Sequence, residues 1–193
     1  MVTALDTVDR LRALETILSG IPDPEIPVVS IRELGILRDI RLGTDGDGAA
    51  TVEIIITPTY GGCPALEQIR DDIVSALAQH GFAATVTRQL APAWTTDWIT
   101  PEAREKLRTY GIAPPHAAAV SQDTVIHFAP KKGATHAHSA RARGQNDTLN
   151  GAIHCPQCDS SNTTETSHFG STACKALCKC LDCMEPFDYF KPD

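Results

Sequence analysis

Positive charge is scarce in this chain, long apolar runs are absent, and the first 154 of its 193 residues carry a single cysteine. Seventeen Lys and Arg against 24 Asp and Glu leave a formal net charge of −7, which argues against a general affinity for nucleic-acid phosphates. The opening residues carry Asp6, Asp9 and Glu15 inside their apolar pattern, so they form neither a signal-peptide core nor a membrane span. The expected location is therefore the cytoplasm, with no membrane partner. No secretion signal and an odd cysteine count also speak against a disulfide framework. What is present is a hydrophobic content of 42% with 21% charged residues, as in a soluble globular protein of one ordinary domain plus a small module.

Periodicity predicts the first domain element by element. Val8, Leu11, Leu14, Ile17 and Leu18 follow helical spacing, with Asp6 or Thr7 as cap and Gly20 and Pro22 as stop. Pro22, Pro24 and Pro27 then impose an extended, turn-rich path. Residues 36–42 alternate as a strand with Ile36, Ile40 and Leu42 on one side. TDGDG reverses the chain, and the β-branched TVEIIIT (51–57) returns antiparallel. Leu66, Ile69, Ile73, Val74 and Leu77 form an amphipathic helix ending before Gly81. FAATVTRQL (82–90) is a third strand, parallel to the second by the right-handed crossover rule. Thr100 and Pro101 open a further helix as cap and first residue. The expectation is an α-β-β-α-β domain with a helical extension over 1–115. A linker over 116–152 follows, with one strand at Thr124–Phe128 and with Lys131, Lys132, Arg141 and Arg143 as a solvated tether. A metal module occupies 153–193.

That module rests on two C-x-x-C knuckles, Cys155/Cys158 and Cys180/Cys183, separated by 21 residues. Each knuckle can place two thiolates about 2.3 Å from one tetrahedral ion, and four such ligands close the coordination sphere. The tail has few large apolar side chains beyond Phe169, Leu177, Phe187, Tyr189 and Phe190, so it needs the ion to fold. Structural zinc is the expected occupant. Mononuclear iron with the same ligands is the main rival and a four-Cys iron–sulfur cluster a weaker one. Cys174 and Cys178 read as small buried residues or, more sharply, as spare thiols for metal transfer.

Cys63, in TPTYGGCPALEQI (57–69), stands at a strand-to-helix hinge. Pro64 suits the first helical position and Cys63 the cap. The helix N-terminus would then lower the thiol pKa and raise its metal affinity or nucleophilicity, with Gly61 and Gly62 permitting the tight turn. Three readings stand side by side: a buried structural thiol, a metal- or cluster-handling thiol, and a nucleophile. For the last, His80, His116 and His127 carry no motif that nominates a base.

DPEIPVVSIRELGIL (23–37) followed by TPTYGGCPA (57–65) resembles the SufT-like domain family associated with iron–sulfur cluster assembly. With the tail HFGSTACKALCKCLDCMEPFDYFK (168–191), the chain resembles the PaaD family of accessory proteins, which accompany the phenylacetyl-CoA epoxidase of aerobic phenylacetate breakdown. The resemblance implies a small α/β domain, a zinc-ribbon-like tail, and a role in maturing or assembling that multicomponent oxygenase. Its di-iron centre and iron–sulfur reductase make metal delivery an intelligible task, and the other epoxidase subunits or the reductase would be the partners. By motif it transfers Asp23, Glu25 and Cys63 as the site for a transient iron or iron–sulfur cargo, and Cys155, Cys158, Cys180 and Cys183 as metal ligands. The protein would be accessory rather than itself catalytic; the alternative is a scaffold that docks on the oxygenase through its zinc module. Cys178 and the long linker depart from the family pattern, so no role is transferred to Cys178. Whether the loop with Asp23 and Glu25 meets the Cys63 sulfur is a question for the structure.

Overall fold

The computed structural model describes residues 4–44, 50–115 and 152–191. The strand expected at Thr124–Phe128, the tether up to residue 151 and most of the TDGDG turn lie outside them. Helix α1 (Ala4–Ser19) starts before its expected cap. It docks through its second half: Leu14 and Leu18 are fully buried while Val8 is exposed. Strand β1 (Leu37–Thr44) pairs antiparallel with β2 (Ala50–Ile56). Helix α2 (Ala65–Gln79) crosses over to β3 (Ala84–Arg88), which runs parallel to β2 with Ile54 opposite Val86. The first sheet is thus mixed and ordered β1-β2-β3, as the hydrophobic pattern implies. Ile69, Ile73 and Leu77 line the buried face of α2 with no exposed surface. Each fully buried aliphatic side chain of this kind contributes roughly 1.5–3 kcal/mol to the core.

The proline-rich stretch before β1 is a closed loop held by its own backbone. Pro22 bridges to Ser30, and the Asp23 N–H donates to the Val29 carbonyl at 2.9 Å. Ser30 and Glu33 then satisfy each other's backbone N–H groups at 2.8 and 3.2 Å, a reciprocal capping box that the S-x-x-E spacing encodes. At Gly35 the chain takes φ +73°, and a Cβ there would stand 2.5 Å from the Trp98 Cβ. A bulge follows between Leu37 and Asp39, and the Arg38 guanidinium lies 3.4 Å from the Trp98 ring centre.

Trp98 ends a single turn of 3-10 helix (Thr96–Trp98) that leads into helix α3 (Pro101–Tyr110). Thr100 caps α3 as expected, its hydroxyl accepting the Ala103 N–H at 3.1 Å. The two-residue strand β4 (Ile112–Ala113) then joins the second sheet, running parallel to β7 (Pro186–Phe190). Antiparallel strands β5 (Thr163–Ser167) and β6 (Lys175–Cys180) complete the order β4-β7-β6-β5. Phe190, 1% exposed, leaves the second sheet to enter the first core, where its ring meets Trp94 edge-on at 6.1 Å. The chain therefore combines a small mixed α/β domain with a C-terminal four-cysteine ribbon.

Candidate functional site

Cys63 follows the β2–α2 turn, and Pro64 already has helical dihedrals (φ −69°, ψ −22°). The Leu66 N–H donates to the Cys63 carbonyl at 3.4 Å, and the Ala65 N–H to its sulfur. The cap of α2 is Pro64 rather than Cys63, one residue later than expected; the helix start still offers the sulfur one N–H, yet the thiol pKa is raised, not lowered. Burial is the largest cause, and the negative charges of Glu25 and then Asp23 add to it, together outweighing the Ala65 N–H and Tyr60. At rest Cys63 is a half-buried neutral thiol rather than an activated thiolate.

The charges of the proline loop reach this sulfur because Asp23 folds the loop around itself. Its Oδ1 accepts the N–H groups of Glu25 at 2.9 Å and Ile26 at 2.8 Å, which turns the chain and presents Glu25. Burial raises the Asp23 pKa despite those two bonds. Glu25 Oε2 accepts a hydrogen bond from the Cys174 thiol at 3.1 Å, and Thr172 Oγ1 lies 3.0 Å from the same sulfur. Burial first, and then Glu25, push the Cys174 thiol up to about 12. The Tyr60 hydroxyl stands beside Cys63 and helps to hold its pKa down, and its buried oxygen has no other partner among the described residues. Its pKa is raised by burial and by Cys63, Glu25 and Cys174 in turn. Cys63, Glu25 and Asp23 are thus brought into one neighbourhood, together with two residues that sequence reasoning did not place there, Tyr60 and Cys174. Tyr60 stood inside the quoted hinge motif. Cys174 carried only the signal of a cysteine that neither knuckle uses.

The four knuckle cysteines form a second, separate cluster. Cys155 and Cys183 have sulfurs 3.7 Å apart, Cys158 and Cys180 3.6 Å, and all four lie within 4.8 Å of one another. A tetrahedron with metal–sulfur bonds of about 2.3 Å needs sulfur separations of about 3.8 Å, so the cage fits one ion. Asp159 and Met184, each just after a knuckle, adopt φ of 59° and 65°, and the Cys183 N–H points back at the Cys180 sulfur at 3.5 Å. Asp182 of the second knuckle accepts from Ser160 and, at 2.7 Å, from Asn162 beside the first, locking the two together. Cys178 is fully buried in the ribbon's own core with Ala113, Phe187 and Tyr189.

Comparison with known proteins agrees with this two-part layout. Residues 11–87 match the iron–sulfur cluster assembly protein family and residues 139–191 the PaaD zinc beta ribbon domain. Across 94% of its length the chain is 46% identical to 93% of an Escherichia coli K12 protein named as a putative component of 1,2-phenylacetyl-CoA epoxidase. The chain belongs to the PaaD family. The first domain is also similar to the crystal structure of a domain of unknown function, DUF59, from Bacillus anthracis (25% identity, TM-score 0.47, 54% of this chain and 97% of that one). A conserved hypothetical protein from Thermotoga maritima is similar at 26% identity and TM-score 0.40, covering 50% of this chain and 91% of that one. Asp23, Glu25, Tyr60 and Cys63 fall in the assembly segment and Cys174 in the PaaD ribbon segment. Among the described residues no helix is long and apolar enough to cross a membrane.

Proposed function

We propose that this PaaD-family chain is a cytoplasmic accessory protein that helps install or preserve a metal or iron–sulfur centre in a multicomponent phenylacetyl-CoA epoxidase. Cys63 holds the cargo transiently and Glu25 assists, with Asp23 shaping the loop that presents it. Oxygenase subunits or their reductase receive the cargo. The observation that carries this reading is the approach of a carboxylate-bearing loop to a protonated thiol. Such a thiol is inert until a cation competes for its proton, and a mixed sulfur–oxygen ligand set holds iron less firmly than four thiolates do.

The ribbon has the opposite character. Its four thiolates are closed around one position, which suits a resident zinc that holds the fold and leaves no coordination site for chemistry. Zinc there supplies the folding energy that so small a core cannot.

The test is co-expression of the epoxidase subunits with the parent chain or with Cys63→Ser. Iron content and turnover of the oxygenase should fall with the variant. If both equal those with the parent while the variant still co-purifies with the oxygenase, the thiol has no role and the ribbon acts as a docking scaffold.

A further inference from the structure

We propose that Cys174 is the second thiol ligand of the cargo site, so that the ribbon and the assembly domain each supply a sulfur to one thiophilic divalent cation, with Glu25 as the carboxylate between them. This rests on the reading of Cys63 as the cargo thiol. It adds a ligand from the other end of the chain.

Cys174 does not behave as a ribbon residue. Cys178, four positions on, fills the ribbon's own core, whereas Cys174 is 4% exposed and buried in the first core beside Phe190. The backbone fixes that outward aim: the Gly170 N–H donates to the Lys175 carbonyl at 2.7 Å, and the Lys191 N–H to the Cys174 carbonyl at 2.9 Å. The thiol so presented spends its proton on Glu25 Oε2. Glu25 itself is half-buried, and among the described residues no basic side chain pairs with it. A carboxylate without an ion-pair partner and two thiols from different segments together offer ligands to a cation, while the Lys175 ammonium, which acts on Asp23, is itself paired with Asp188 at 3.7 Å. Thiolates select soft cations, and a carboxylate beside them suits ferrous iron.

Geometry also sets this place apart from the closed cage. The knuckle sulfurs all lie within 4.8 Å of one another, and no trio drawn from Cys63, Cys174, Glu25 and Asp23 does. A cation entering must draw its ligands inward and take Cys174 away from Glu25. Each thiol gives its proton to water as its sulfur binds, and no electron changes hands. An ion held at that cost is easily surrendered to a better-formed site.

Cobalt(II) serves as the probe, titrated anaerobically into the zinc-loaded full chain, because the intensity of the sulfur-to-cobalt charge-transfer band counts thiolate ligands. The parent should bind cobalt with a band of two-thiolate intensity. Cys174→Ser and Cys63→Ser should each halve that intensity and weaken binding by roughly tenfold or more. Cys178→Ser should match the parent. Retained zinc in Cys174→Ser, and in Cys174→Ala as a second variant, shows that the fold survives. A one-thiolate band lost only with Cys63→Ser overturns the role of Cys174 and leaves the Cys63 site standing. If the zinc-loaded parent takes up no cobalt, both fall.

Discussion

At the scale of single residues, burial decides the character of the thiols. Cys63 lies just before the Pro64 cap of α2, but desolvation and two carboxylates win over the Ala65 N–H and Tyr60, and its pKa goes up. The same competition acts on Asp23. Its carboxylate is buried, and because its folded pKa is raised, the folded state binds its proton more tightly than the unfolded chain does. Stability from this group is therefore present below its ordinary pKa, near 3.8, and is lost as pH rises through the folded value. Asp23→Asn keeps the oxygen that accepts the Glu25 and Ile26 N–H groups while removing the charge. The variant should be more stable than the parent at pH 7, with the difference closing as pH falls toward 4. Denaturant melts at the two pH values check this, and a variant less stable at pH 7 would show that the charge itself is needed for folding. The thiol's sign was not legible in the sequence, because a cap is local while burial and carboxylate approach are tertiary.

At the scale of elements, what could be read was what neighbouring residues determine. Thr100 and Pro101 start α3 because cap hydroxyl and proline ring act within one turn. The parallel β2–β3 pair follows from the length of the crossover, and the four-cysteine cage from two short repeats of fixed spacing. The hydrogen bond from Cys174 to Glu25 joins residues 149 apart, and no period or spacing announces such a contact. The Arg38 bulge was likewise invisible, since alternation alone would carry the strand straight through. Gly35 is the point where this part of the fold is most exacting: it has a positive φ and the Trp98 Cβ occupies the place of its missing side chain. Gly35→Ala should cost about 1–3 kcal/mol and loosen the packing of Trp98 on Arg38, which chemical denaturation and tryptophan fluorescence would report. An unchanged unfolding midpoint would mean that the loop before β1 yields without loss.

At the scale of the molecule, the ribbon is built into the first domain rather than appended to it. Strand β4 comes from the segment after α3 and pairs with β7, while Phe190 and Cys174 return into the first core. Removal of the ribbon's metal by a strong chelator should therefore be felt at Trp94, which packs on Phe190 and donates to the Leu34 carbonyl at 2.9 Å. The expected readout is a red shift of tryptophan emission together with faster alkylation of Cys174, reversed by zinc. Emission and alkylation that ignore the metal would make the ribbon an independent module. Coupling of this kind would also let docking of the ribbon on an oxygenase subunit bear on the cargo thiols, since Cys174 stands only one residue before β6.

Delivery of iron by Cys63 to a partner is open to direct measurement: anaerobic transfer of isotopically labelled iron from the full chain to metal-free oxygenase, followed by Mössbauer spectroscopy of the separated oxygenase. The parent should deliver the label into the oxygenase, and zinc-loaded Cys63→Ser should deliver little beyond what free ferrous iron achieves. Equal delivery by parent and variant would show that the Cys63 thiol carries no iron.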